Sequence, residues 1–320
     1  DLVRAMGSVG LVNIQMAIRG DDLYVLEANP RASRTVPYVS KAIGIPVAKL
    51  AAKILIGHSL RELLVDYWPY PLRPGDGADL DGLLAAAHRA PTPWPTHASV
   101  KEVVLPFGRF QGSDVLLGPE MRSTGEVMSF GESFPEAFAK AQIAAGNPLP
   151  TGGTVLVSLA DSDKREGTSL VAQLRDMGFD IVATRGTARA LRSMGIQVRV
   201  VPKVGEGRPD CVDIISQDKV HLVVNTPSSM SREGRTRDIG TEGSLTPASA
   251  QPRGVPLPWH ARRTSGYRIR QAALEHHVPY VTTLVALRAA VAAIRYTASG
   301  ELTLSHLMAS TSQVEVPNER

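Results

Sequence analysis

The segment Gly153-Thr-Val-Leu-Val-Ser-Leu-Ala160 decides the fold, because it opens a regular alternation of short apolar runs and helical stretches. Val155–Ser158 reads as a strand, and Ser169–Met177 as a helix stopped by Gly178. Ile181–Thr184 is the next strand, Thr187–Met194 the next helix, and Val198–Val201 the third strand. A helix at Val212–Gln217 leads to a strand at Leu222–Asn225. Later come a helix at Ile269–His277, a strand at Tyr280–Thr282 and a helix at Leu284–Ile294. Five strands alternating with helices imply an open, mostly parallel sheet covered on both faces, a doubly wound α/β fold.

In such sheets ligands bind beyond the carboxyl ends of the strands. The residues there are Ser158, Thr184, Asn225 and Thr282, with Lys203 just after the third strand. Lys164 and the Gly186-Thr187 helix start lie close by in sequence. Hydroxyls, amides, ammonium groups and helix N–H donors make the outline of a small-anion pocket. The competing reading is that each Ser, Thr or Asn merely caps the helix that follows it.

The 320 residues amount to about two domains at roughly 100–200 residues each. Apolar residues form 43% and charged residues 21%, a globular composition and not a disordered one. Charged residues such as Lys53, Arg288 and Arg295 break the best apolar runs, so no membrane span is expected. The chain opens at Asp1 without a basic-then-apolar leader; neither a signal peptide nor a complete reading frame is expected. A single cysteine, Cys211, excludes an internal disulfide framework and a cysteine-built zinc site. That usage suits a reducing cytoplasm.

Lys and Arg number 35 against 31 Asp and Glu, but the excess is local. Pro227 to His277 holds eight Arg and four acidic residues, so the remainder is neutral. The basic residues lie among Ser, Gly, Thr and Pro, as in a solvated loop, and nucleic-acid binding is not expected. Residues 69–96 and 227–265 have the length and proline content of loop insertions. The short linker-like run Ala145-Gly-Asn-Pro-Leu-Pro-Thr-Gly-Gly153 marks the expected boundary between domains 1–148 and 149–320.

Near the start, Gly10–Ile18 and Leu23–Asn29 flank Arg19-Gly-Asp-Asp22 as a hairpin. Pairing Arg19 with Leu23 across a three-residue loop sorts the faces. Ile14, Met16, Ile18, Tyr24, Leu26 and Ala28 then share one side, while Asn13, Gln15, Glu27 and Asn29 share the other. A carboxylate between amide oxygens offers hard ligands of the type Mg²⁺ or Mn²⁺ takes alongside phosphates. Arg31 and Arg34 follow with guanidiniums suited to bidentate phosphate contacts. A hairpin whose polar face is simply wet is the plain alternative.

The runs Gly10–Gln15 and Leu26-Glu-Ala-Asn-Pro-Arg-Ala-Ser-Arg-Thr-Val-Pro-Tyr-Val-Ser-Lys41 closely resemble the end of the second ATP-grasp unit of the carbamoyl-phosphate synthase large chain. Ser99–Phe107, Leu117–Met128 and Phe134–Gln142 resemble the same family further on. The region after Gly153 resembles its methylglyoxal-synthase-like regulatory domain. The fold so implied is the C-terminal portion of an ATP-grasp α+β domain, then a doubly wound parallel-sheet domain.

The resemblance implies ATP-dependent phosphorylation of carbamate, for pyrimidine and arginine biosynthesis, with a small glutaminase subunit as partner. Oligomers of that heterodimer are implied as well. Gln15, Glu27 and Asn29 match the family's ligands for the Mg²⁺ or Mn²⁺ that bridges ATP phosphates, and Arg31 and Arg34 match its phosphate contacts. Metal and guanidiniums offset charge on the transferring phosphoryl group, so no covalent nucleophile is required. Ser158, Lys164, Thr184, Thr187, Lys203, Asn225 and Thr226 match its nucleotide-effector site, of UMP or IMP type. Glu102, Tyr280 and Thr282 match part of its ornithine site. Pro227, Arg185 and Val281 stand where the family commonly has Thr, His and an acidic residue.

Two rivals remain at this level: a stand-alone nucleotide- or phosphate-binding regulatory module without catalysis, and a methylglyoxal-synthase-type lyase. The lyase would need placed acidic general bases. Lys203-Val-Gly-Glu-Gly-Arg-Pro-Asp210 resembles the regulatory version instead. The 320 residues alone are expected to make no carbamoyl phosphate.

Overall fold

A computed structural model describes residues 2–60, 62–63, 97–104, 125–227, 264–300 and 302. Most of both expected insertions, and the Leu117–Thr124 part of the family resemblance, lie outside those residues. The chain divides into two compact units between Ser99 and Val100.

In the first unit a short helix, α1 (Leu2–Ala5), precedes the hairpin of β1 (Asn13–Arg19) and β2 (Asp22–Asn29). Asn13 pairs with Asn29, Ile14 with Ala28 and Gln15 with Glu27, the register argued from the side chains. Beyond Gln15 that register fails, because Met16 pairs with Val25 and Arg19 with Asp22. The loop is two residues, not three, and a bulge at Leu26 takes up the difference. The cause lies in the turn. Gly20 has φ +61° at the first central position, the backbone sign that a tight II′-type hairpin requires and glycine supplies without strain. The bulge shifts the alternation by one residue, so Leu23 and Val25 join Ile14, Met16 and Ile18 on the apolar side.

Two helices follow, α2 (Thr35–Ile43) and α3 (Val47–Leu55). Gly44 ends α2 in the left-handed conformation, and Pro46 precedes the first turn of α3. Leu50 and Ala51 are buried on the inner face of α3, while Leu55 is left 66% exposed.

The second unit begins with most of β3 (Ala98–Val104), which pairs with β4 (Gly125–Gly131). Helix α4 (Phe134–Ala144) follows, with Pro135 in its first turn. The sheet core comprises β5 (Thr154–Ser158), β6 (Asp180–Thr184), β7 (Arg199–Val201), β8 (Leu222–Asn225) and β9 (Tyr280–Val281). All neighbours run parallel in the order β7-β6-β5-β8-β9. The connecting helices are α5 (Lys164–Asp176), α6 (Arg185–Ser193), α7 (Cys211–Ser216), α8 (Ser265–Glu275) and α9 (Leu284–Ala298).

Alternation along each strand assigns the two faces. Val155, Val157, Ile181, Ala183, Leu222 and Val224 pack under α5, α6 and α9, against Leu174, Leu191 and Leu287 among others. Leu156, Val182 and Val223 point the other way, onto Cys211, Ile215 and Ile269 of α7 and α8. Helices on both faces make this a doubly wound sheet. Fully burying a leucine such as Leu156 or Leu174 stabilises the fold by roughly 1.5–3 kcal/mol.

Helix α4 packs on α9 within this unit. Glu136 and Lys140 form an ion pair one helical turn apart, both almost fully buried. Glu136 also accepts from the Glu132 backbone N–H at 2.8 Å and is hydrogen-bonded by Tyr296 of α9. Burial by itself raises the Glu136 carboxyl, but Lys140 and these hydrogen bonds outweigh it and hold the carboxyl below the ordinary range.

Candidate functional site

The strand order reverses between β5 and β8: β6 and β7 lie to one side of β5, β8 and β9 to the other. Ser158 and Asn225 end those two strands and are direct neighbours across the ladder. This is the switch point where doubly wound folds open a crevice for ligands.

Around it the polar side chains bind one another. Thr184 Oγ1 lies 3.4 Å from Ser158 Oγ and 3.3 Å from Thr187 Oγ1. Thr187 Oγ1 accepts from the Leu159 backbone N–H at 2.9 Å, and Thr226 Oγ1 from that of Ala160 at 2.8 Å. Thr226 N–H in turn donates to the Ser158 carbonyl at 3.1 Å. Thr184 occupies the N-cap position of α6 but makes no side-chain capping bond. Simple capping therefore does not explain its hydroxyl. A contrast is Thr283, whose hydroxyl caps α9 by accepting from Ala286 N–H at 3.1 Å.

The cations stand at the rim. Lys164 Nζ is ion-paired with Asp161. It lies 3.2 Å from where a Cβ on Gly186 would sit, so the missing side chain lets the ammonium rest on the first turn of α6. The exposed Asp161 carboxyl is held below its ordinary range by the Lys164 hydrogen bond and charge, with a smaller contribution from Lys203. Lys203 is itself exposed, and its backbone N–H donates to Glu206 at 3.3 Å. Five neutral donors or acceptors, two ammonium groups and a helix N-terminus thus gather at one crevice.

Sequence reasoning missed Arg270. It is only 3% exposed, and its Nη1 donates to Asn225 Oδ1 at 2.6 Å. Gly266, one turn earlier on α8, gives both groups room; a Cβ there would lie 3.1 Å from Nη1 and 3.2 Å from Oδ1. The available signal was an arginine on the inward face of a helix, spaced with Ile269 and Ala273.

The hairpin gathers a second patch. Glu27 is opposite Gln15, Asn29 is opposite Asn13, and Asn29 Nδ2 donates to Glu27 Oε1 at 2.9 Å. That bond leaves the Asn29 amide oxygen and the second Glu27 oxygen for other partners. Arg31 N–H closes a turn onto the Asn29 carbonyl at 2.8 Å, and its Nη1 donates to the Ala32 carbonyl at 3.0 Å. Arg34 precedes α2 and is exposed. Among the described residues no three His, Cys, Asp or Glu gather as metal ligands. One carboxylate with amide oxygens still fits a divalent cation that keeps water and takes the rest of its shell from phosphates.

Glu102, on β3, accepts from Gln142 Nε2 of α4 at 3.1 Å. Burial pushes its carboxyl above the ordinary range, against smaller opposing effects of the Val103 backbone and Gln142. Tyr280 packs on the second core cluster, and Thr282 directly precedes the cap residue of α9. Cys211 is fully buried, and burial, aided by Asp210, raises its thiol to about 12, which makes it inert. No helix among the described residues is long and apolar enough to cross a membrane.

Together they make an α/β protein in which an antiparallel hairpin unit precedes a doubly wound parallel sheet with a polar crevice at its switch point. Residues 1–63 match the carbamoyl-phosphate synthase L chain, ATP binding domain, and residues 166–259 match the MGS-like domain. The chain is 58% identical to the carbamoyl phosphate synthase large chain of Thermotoga neapolitana, over 94% of this chain and 26% of that protein. It is 39% identical to the large chain of Methanosarcina barkeri, over 97% of this chain and 65% of that protein. Against the large chain, C-terminal section, of Methanopyrus kandleri the identity is 41%, over 92% and 46%. The chain belongs to the carbamoyl-phosphate synthase large-chain family and spans about a quarter of the length of its Thermotoga relatives.

Proposed function

We propose that this chain supplies the C-terminal part of an ATP-dependent, carbamate-phosphorylating unit and a domain that regulates it by binding a nucleoside monophosphate, UMP or IMP in type. The functional division falls between residues 148 and 149. The observation that carries the regulatory half is the meeting of the Ser158, Thr184 and Thr187 hydroxyls at the switch point, under Lys164 and the start of α6. A phosphate there receives hydroxyl and helix N–H donors and is faced by Lys164 and Lys203. Asn225 and Thr226 close the opposite side.

On the hairpin, Gln15, Glu27 and Asn29 would hold Mg²⁺ or Mn²⁺ against ATP phosphates, with Arg31 and Arg34 meeting phosphoryl oxygens. The metal supplies charge neutralisation during phosphoryl transfer. The relatives' name, carbamoyl phosphate synthase large chain, supports the catalytic half of this reading. The proposal extends to a small glutaminase subunit as partner, oligomers of the pair, pyrimidine and arginine biosynthesis as the setting and the cytoplasm as the location. Glu102, Tyr280 and Thr282 are assigned to an ornithine-type effector. A stand-alone module without catalysis is not favoured, because residues 1–63 match an ATP-binding domain. Calorimetric titration of the chain with UMP, IMP and inorganic phosphate tests the regulatory half. Saturable binding supports it, and absence of binding by all three overturns it.

A further inference from the structure

Arg270 lies outside every residue set assigned above, yet it is the one cation fully buried beside the crevice among the described residues of the sheet unit's effector end. A guanidinium has donors and no acceptor, so the atom of Asn225 facing it has to be the amide oxygen. The Asn225 NH₂ is thereby turned away from Arg270, and it lies 3.5 Å from the Ser158 carbonyl. A contact that long leaves the NH₂ group able to donate to a ligand. Gly266 keeps the first turn of α8 close enough for this arrangement, since a Cβ would press on both partners.

We infer that Arg270 is a positioning residue of the anion pocket: it fixes Asn225 as a hydrogen-bond donor toward bound phosphate and polarises that amide with a buried positive charge. The inference rests on the anion-site reading. Affinity for phosphate-bearing ligands then depends on a residue that need not touch them. Reversing the Asn225 amide would present its oxygen to the anion, and with Arg270 in place that reversal would set NH₂ against guanidinium.

The test titrates UMP and inorganic phosphate into the full chain carrying Arg270→Lys, Arg270→Gln or Gly266→Ala, with folding of each variant followed by circular dichroism. Arg270→Gln keeps a donor for Asn225 but removes the charge, and both ligands are expected to bind about 10-fold more weakly. Arg270→Lys retains charge and donor and is expected to recover affinity to within about 3-fold of wild type. A purely structural role predicts instead that affinity follows thermal stability across the series, with lysine no better than glutamine. Equal affinity of folded Arg270→Gln and wild type overturns the inference and leaves the pocket standing. Failure of wild type to bind either ligand overturns the pocket and this inference together.

Discussion

Ser158 and Asn225 are ladder neighbours at the carboxyl ends of β5 and β8, the two strands between which the chain reverses direction across the sheet. One short polar step therefore joins both halves of the sheet at the point where a crevice must open. The groups around it are buried, at 9% exposure for Ser158 and 3% for Asn225.

Lys203 is exposed at the rim and belongs to the proposed phosphate contacts. Lys203→Ala is expected to weaken UMP binding by roughly 1.5–3 kcal/mol, the size of a hydrogen bond to a charged group. Calorimetry on the folded variant checks this, and unchanged affinity removes Lys203 from the site.

Thr226 ties β8 to the turn after β5 through the Ala160 N–H. Thr226→Val leaves that buried donor unsatisfied and is expected to cost about 1–3 kcal/mol in urea denaturation. Thr226→Ser, which keeps the hydroxyl, is expected to restore most of it.

Glu136 neutralises the buried Lys140 ammonium. Glu136→Gln strands that charge and is expected to destabilise the fold by roughly 3–5 kcal/mol. In the wild type the folded Glu136 carboxyl is depressed, so its contribution is complete above the unfolded value of 4.5 and is lost as pH falls through the lower folded value. Denaturation midpoints measured downward from pH 5 should show this loss, which Glu136→Gln should not.

Glu102 has the opposite sign. Its folded carboxyl is raised by burial, so the ionised form opposes folding, and stability declines as pH rises through the folded value. Glu102→Gln keeps an acceptor for Gln142 and is expected to raise the melting temperature at pH 7 while flattening the profile just above the ordinary carboxylate range. A fall in melting temperature at pH 7 contradicts the assignment of burial as the dominant cause.

The alternation of short strands and helices was legible in the sequence because strands buried on both faces, such as Leu222–Asn225, read as continuous apolar runs. The hairpin was legible only where polar residues pin the register, at Asn13, Gln15, Glu27 and Asn29. Its turn end was not, since both faces there are apolar and exposed: Ile18 and Leu26 are 77% and 65% exposed, so sorting by polarity had nothing to discriminate. The Arg270–Asn225 bond joins residues 45 apart, across the basic segment, and sequence spacing carries no signal for such a pair. Ser158 and Thr184 were legible as strand ends, whereas their mutual approach depends on neighbouring strands ending level.

The most direct measurement is a crystal structure of the chain with UMP bound. The expected result places the phosphate within hydrogen-bond distance of Thr184 Oγ1, Thr187 Oγ1 and a backbone N–H at the start of α6, with Lys164 or Lys203 on its outer oxygens. A phosphate bound elsewhere on the sheet unit, with the Ser158–Asn225 crevice empty, would contradict it.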